Sequence, residues 1–264
     1  MPTLRVTPAQ VDCLWHKPEE NRQRLAQLFL AISGKTDLIV LPEMFTSGFT
    51  QFPEAVNCQS PTIEWMQAQA ARHNTAIAGS IAVQTQAASD GTKASYVNRL
   101  VFVEPSGEYH TYDKVHLFTM ADEQLRYQPG NERKVIEYRG WRILLTICYD
   151  LRFPVFCRNQ NDYDLMLCVA NWPEARRVHW RALLQARAIE NQGFVIGVNR
   201  VGTDGNGLHY TGDSMVVDML GEHLFDGSTG IETLPVVNLD KKALEVYREQ
   251  FPAWQDADNF KLLF

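Results

Sequence analysis

Three residues that can carry out acyl transfer together stand at separate points along the chain: Glu43, Lys114 and Cys148. A thiol attacks a carbonyl as its thiolate, so it needs a base within hydrogen-bond reach, and the oxyanion that forms needs fixed positive charge. A carboxylate and an ammonium supply both without a histidine base. Each of the three follows a segment with strand character. Trp141-Arg142-Ile143-Leu144-Leu145-Thr146-Ile147 is an apolar run ending at Cys148, and Pro154 then suits the first turn of a new helix. Asp37-Leu38-Ile39-Val40-Leu41 is too short for a helix and leads into Pro42-Glu43, with Met44 and Phe45 beside it. Lys114 follows a strand over 108–112 and is flanked by Val115 and Leu117. Layered α/β sheets place their chemistry at such strand ends, where neighbouring ends converge on one edge. Each residue also has an inert reading. Free cysteine is among the most buried residue types, a loop carboxylate is ordinarily solvated, and most strand-end lysines point into water.

The elements that must position these residues alternate along the whole chain. Strands are expected over 4–11, 37–41, 75–83, 96–104, 108–112, 134–138, 141–147, 165–169, 194–198, 210–218 and 233–239. A helix starts at Pro18, carries Leu25, Leu28, Phe29 and Ile32 on one face, and stops at Gly34. Ser60-Pro61 opens a second helix running to about His73, and further helices fit 178–191 and 241–251. The polar stretch 84–95 reads as a hairpin loop. Segment 119–131, which holds Glu123, shows no clear element, and loops of that length are more often functional than not. The glycine-rich turn 202–207 lacks the lysine and following helix of a phosphate loop. The apolar end of the tail 252–264 should pack on something, such as a second subunit. Strand–helix units and hairpins interleave without a linker, which favours one mixed α/β domain over 1–264.

Composition narrows the function. A formal net charge of −6 counts against nucleic acid or an anionic membrane as the main partner. No apolar run approaches the roughly 18 residues of a membrane span, and 1–6 carries no signal core, so a cytoplasmic location is expected. The 5 cysteines are odd in number and scattered, which fits reduced thiols, and no Cys/His cluster offers a zinc site.

Leu41-Pro42-Glu43, Asp113-Lys114-Val115-His116-Leu117 and Ile147-Cys148-Tyr149-Asp150-Leu151-Arg152-Phe153-Pro154 resemble, in order, the three signatures of the nitrilase superfamily of carbon–nitrogen hydrolases. Pro129-Gly130, Arg187-Ala188-Ile189-Glu190-Asn191 and Gly212-Asp213-Ser214 extend the resemblance over nearly the whole chain. Leu41-Pro42-Glu43-Met44-Phe45-Thr46-Ser47-Gly48-Phe49, Ala170-Asn171-Trp172-Pro173 and the closing Phe251-Pro252-Ala253-Trp254-Gln255-Asp256-Ala257-Asp258 resemble its omega-amidase branch, bacterial members in particular. The resemblance implies a four-layer α-β-β-α sandwich, no cofactor or metal, and pairing into homodimers or larger homo-oligomers. It assigns Cys148 as nucleophile, Glu43 as general base, Lys114 as oxyanion stabiliser and, by a looser match, Glu123 as a second glutamate near the lysine. It implies a small-molecule amide substrate, with 2-oxoglutaramate hydrolysed to 2-oxoglutarate and ammonia. Other branches act on nitriles, N-carbamoyl amino acids, aliphatic amides or deaminated glutathione, and a non-catalytic small-acid binder is a further alternative. Around this core, the Tyr149 N–H is a second oxyanion donor. Arg176 or Arg177 suits a substrate carboxylate. Trp172, Phe118 and Tyr112 are candidates for pocket walls, though core packing explains them as well, His116 either lines the pocket or hydrogen-bonds within its loop, and Arg152 is assigned to structure near the nucleophile.

Overall fold

A computed structural model describes residues 3–56, 59–85 and 95–264. Cys58 and the middle of the expected 84–95 loop lie outside the described residues. The first half of the chain runs β1 (Thr3–Pro8), α1 (Pro18–Leu30), β2 (Leu38–Val40), α2 (Gln59–His73), β3 (Ala76–Gln84), β4 (Tyr96–Val103) and β5 (Tyr109–Asp113). The second half runs β6 (Val135–Tyr138), β7 (Trp141–Ile147), α3 (Pro154–Cys157), β8 (Leu165–Ala170), α4 (Arg177–Asn191), β9 (Phe194–Asn199), β10 (Val201–Thr203), β11 (His209–Thr211), β12 (Met215–Val217), β13 (His223–Asp226), β14 (Val237–Asp240) and α5 (Lys241–Gln250).

Two six-stranded sheets result, ordered β14-β1-β2-β3-β4-β5 and β13-β12-β9-β8-β7-β6. In each, the central strands are parallel and joined through helices, as parallel pairing requires. The period-2 alternation of strands sorts the first sheet into two faces. Leu38, Val40, Ala76, Ala78, Leu100 and Phe102 enter the core shared with the second sheet. Ile39, Ile77 and Val101 point the other way, onto Leu25 and Phe29 of α1 and Met66 and Ala70 of α2. Beyond the second sheet, α4 buries Trp180 and Leu184. A Cβ on Gly197 of β9 would meet Leu184 at 2.4 Å, so that strand needs glycine for the helix to approach. The order helices, sheet, sheet, helix is the expected four-layer sandwich.

The expected strand over 210–218 is instead β11 and β12. Gly212 at φ 75° and Asp213 at φ 57° break the extended chain between them. The edge strand β13 was not expected, because His223-Leu224-Phe225-Asp226 is short, half exposed and without a buried alternation. In the tail, Leu262 packs against the shared core and the Phe264 ring lies 6.4 Å from that of Phe156, while Leu263 stays exposed.

Candidate active site

The ends of β2 and β5 in one sheet face the ends of β7 and β8 in the other, so the site lies between sheets rather than along one edge. Lys114 sits at its centre, fully buried. Its ammonium donates to Glu43 Oε1 at 2.9 Å and to Glu123 Oε1 and Oε2 at 3.1 and 3.0 Å. Asn98 on β4, which the sequence reading missed, donates from Nδ2 to Glu43 Oε1 at 2.7 Å. The Asn171 N–H, at the end of β8, donates to Glu43 Oε2 at 2.8 Å. A carboxylate offers about four lone-pair sites. Three are filled by these donors, which leaves one site on Glu43 open. Glu123 is held further by the Phe118 N–H at 2.6 Å. Burial pushes the Glu123 carboxyl upward, the Lys114 charge opposes this, and Glu43 adds to it. Burial disfavours the Lys114 ammonium as well, but Glu123 and Glu43 outweigh that and hold its pKa well above the usual lysine value.

Cys148 closes β7 with φ at 48°, and Met44, directly after Glu43, has φ 44°. Non-glycine residues in this left-handed region cost on the order of 1–3 kcal/mol and cluster at functional sites. Neither Met nor Cys signals that geometry in a sequence. Asp150 ties the strand end before Cys148 to the lysine loop. Its Oδ2 accepts from the Ile147 N–H at 2.9 Å and the Tyr112 hydroxyl at 2.7 Å. Its Oδ1 accepts from the His116 N–H at 3.0 Å and lies 2.8 Å from His116 Nδ1. Cys148 retains partial exposure to the cleft, but protein surrounds its sulfur. Burial, followed by the charge of Glu43, pushes its thiol well above the ordinary value, against the pull of Lys114. At rest Cys148 therefore carries a thiol rather than a thiolate. Tyr149 is the second residue of the tight turn Cys148–Arg152, where the first N–H groups of a helical turn lack acceptors within it.

Glu43, Lys114 and Cys148 line one cleft, walled by Phe118, Tyr149, Trp172 and Tyr210. Arg176 and Arg152 also line it. Arg176 lies 5.2 Å from the Phe118 ring and Arg152 lies 5.0 Å from the Trp172 ring. Arg152 Nη2 is 2.9 Å from His179 Nδ1. Among the described residues no carboxylate pairs with either arginine. Four residues are placed otherwise than expected. Arg177 turns away from the cleft and grips Asp213 through Nε at 3.1 Å and Nη2 at 2.6 Å. His116 is spent on Asp150 and stacks on Phe153 at 3.8 Å, and Tyr112 is likewise committed to Asp150. Arg152, expected to be structural, faces the cleft instead. Among the described residues no group of three or more His, Cys, Asp and Glu side chains is arranged to hold a metal ion.

A two-sheet sandwich with a buried Glu–Lys–Glu cluster beside a strand-end cysteine defines a class of hydrolase. The family model for carbon-nitrogen hydrolases matches residues 5–249, and the chain belongs to that family. It is similar to the omega-amidase YafV of Escherichia coli K12, 51% identical over 263 residues, covering 99% of this chain and 100% of the relative. It also resembles the 2-oxoglutaramate amidase of Bacillus subtilis 168, 31% identical over 255 residues, covering 94% of this chain and 95% of the relative. A CN-hydrolase superfamily protein from Xanthomonas campestris, solved with an arsenic adduct in its active site, superposes with a TM-score of 0.91 at 44% identity, covering 99% of this chain and 100% of that one.

Proposed function

We propose that this chain is an omega-amidase that hydrolyses the terminal amide of a small 2-oxo dicarboxylic acid monoamide, releasing 2-oxoglutarate and ammonia from 2-oxoglutaramate through a thioester on Cys148. One observation carries the reading: a cleft that ends on Cys148 beside the Glu43–Lys114–Glu123 cluster holds two arginines, Arg152 and Arg176, that no carboxylate of the described residues neutralises. A substrate carboxylate meets that charge, and Arg suits it through paired N–H donors.

Chemistry then proceeds in two halves. Glu43 takes the thiol proton as Cys148 Sγ attacks the amide carbon. Lys114 and the Tyr149 N–H hold the oxyanion. The nitrogen leaves as ammonia with the proton from Glu43, and the acyl group remains as a thioester. Glu43 next takes a proton from water, whose oxygen attacks the thioester carbon, and the proton returns to the Cys148 sulfur as the acid departs. Glu123 keeps Lys114 charged and placed.

The same reading takes the chain as one catalytic domain that works as a homodimer or larger homo-oligomer in the cytoplasm. Four unpaired cysteines among the described residues and the exposed Leu263 and Phe264 of the tail support these parts. Ammonia release from 2-oxoglutaramate, glutamine, an N-carbamoyl amino acid and a simple nitrile, with Cys148→Ala as control, tests the proposal. Rapid release from 2-oxoglutaramate that vanishes in Cys148→Ala is expected. Preference for another substrate would reassign the branch, and release undiminished in Cys148→Ala would remove the nucleophile.

A further inference from the structure

The short ribbon of β10 and β11 belongs to neither large sheet, yet it is firmly held. Its Val201 N–H donates to Val11 O at 3.1 Å. Within its turn, Asp204 Oδ1 accepts from the N–H groups of Asn206 at 2.9 Å and Leu208 at 3.0 Å, while Oδ2 accepts from the Tyr210 hydroxyl at 2.9 Å. The Trp15 indole lies against the turn so closely that a Cβ on Gly205 would stand 2.2 Å from its Nε1. The same indole packs on Gly48, in the segment that follows Glu43, where a Cβ would stand 3.0 Å from it. Behind the ribbon the buried Arg200 lies 4.9 Å from the Tyr210 ring and bonds Asp12 at 2.6 Å. The glycine-rich turn therefore presents its next residue, Leu208, at a fixed place. Leu208 lines the cleft together with Cys148 and is 48% exposed, so it stands at the rim. Trp172 and Tyr210, by contrast, are 4% and 2% exposed and anchored in the core. On the lysine-loop side of the rim the cleft is lined by Ala121, a residue with little reach.

Resting on the amidase reading of this cleft, we propose that Leu208 determines specificity by limiting the bulk of the acyl group accepted above Cys148. Its isobutyl group covers a short linear acyl chain and excludes longer or branched ones. The held turn keeps it from swinging aside, and because it is not core, it can be shortened without opening the fold.

The test measures kcat/KM for wild type, Leu208→Ala and Leu208→Phe on two series of graded chain length, 2-oxo acid ω-amides and neutral linear amides. Leu208→Ala should raise the ratio of long-chain to short-chain kcat/KM by roughly tenfold, in the range one or two methylenes produce in an apolar pocket. Leu208→Phe should lower that ratio. An unchanged melting temperature, with Cys148 still alkylated by iodoacetamide in each variant, would show the fold and the thiol intact. A ratio within twofold of wild type in both variants would overturn the assignment. Loss of the 2-oxo acid series alone, with the neutral series still responding, would overturn the substrate reading and leave Leu208 in place.

Discussion

Two buried charge clusters in this molecule carry opposite majorities. At the cleft, the Lys114 ammonium lies between two carboxylates, Glu43 and Glu123, with Asn98 donating to the former. At the far end of β7, the Asp164 carboxylate lies among three cations: Arg142 at 2.8 Å, Lys241 at 3.1 Å and Arg248 at 3.2 Å. Burial alone raises a carboxyl in either place. At Asp164 the hydrogen bonds and charge of Arg142, joined by Lys241, overcome burial and bring the carboxyl down to about 2. At Glu123 the single lysine does not overcome it, and Glu43 pushes the same way as burial. Asp164 thus stays ionised throughout the neutral range and only ties strands to α5. In the cleft cluster, short of positive charge, the Glu123 carboxyl is instead held above the usual carboxylate range.

Removing the minority charge should break the two clusters differently. Lys114→Met leaves two carboxylates facing each other in the core, with an expected loss of about 3–5 kcal/mol of stability. Its kcat should fall by at least ~10²-fold, the scale of a lost oxyanion donor. Adding Glu123→Gln to that variant should recover stability, read by denaturant unfolding, without recovering turnover. Asp164→Asn should cost roughly 2–3 kcal/mol, the scale of hydrogen bonds to charged partners, and leave kcat/KM unchanged. Because the folded Asp164 pKa lies below its unfolded value, its contribution is complete above about pH 4 and is lost as pH falls toward about 2. Unfolding midpoints across that range should converge for wild type and Asp164→Asn.

The two adjacent arginines sharpen the contrast at smaller scale. Arg176→Ala should raise KM for a 2-oxo acid amide by about tenfold, near 1.4 kcal/mol, with little change in KM for a neutral amide. Arg177→Ala removes a partly exposed pair with Asp213 and should cost under about 1 kcal/mol of stability while leaving KM alone. Equal effects of the two variants on KM would show that the cleft does not distinguish them.

That Glu43, Lys114 and Cys148 meet in one cleft was legible because each follows a strand within a local motif, and local pattern is what a sequence displays. Glu123 lies in segment 119–131, which showed no clear element, and its place beside the lysine was indicated only by the looser match to the family pattern. Asn98 was hidden: it lies mid-strand on β4, in a sequence that reads as ordinary sheet, and acquires its role only when β5 pairs beside it and Lys114 crosses over. The choice between Arg176 and Arg177 was equally closed. A tight turn over Glu174–Arg176 gives way to α4 at Arg177, and across that change of path Arg176 lines the cleft while Arg177 pairs with Asp213. The order of the elements indicated one mixed α/β domain, and the four-layer sandwich came from the resemblance to carbon–nitrogen hydrolases. The break at Gly212-Asp213 did not, since Tyr210 and the run Met215-Val216-Val217 read as one strand until two positive φ angles separate them.

The most direct test of Cys148 acting with Glu43 and Lys114 is rapid-quench mass spectrometry of the enzyme during turnover of 2-oxoglutaramate. An acyl adduct should appear on the peptide bearing Cys148, disappear when substrate is exhausted, and be absent in Cys148→Ala. Steady ammonia release with no adduct at any quench time, or an adduct on a different residue, would contradict a thioester formed at the Glu43–Lys114 cluster.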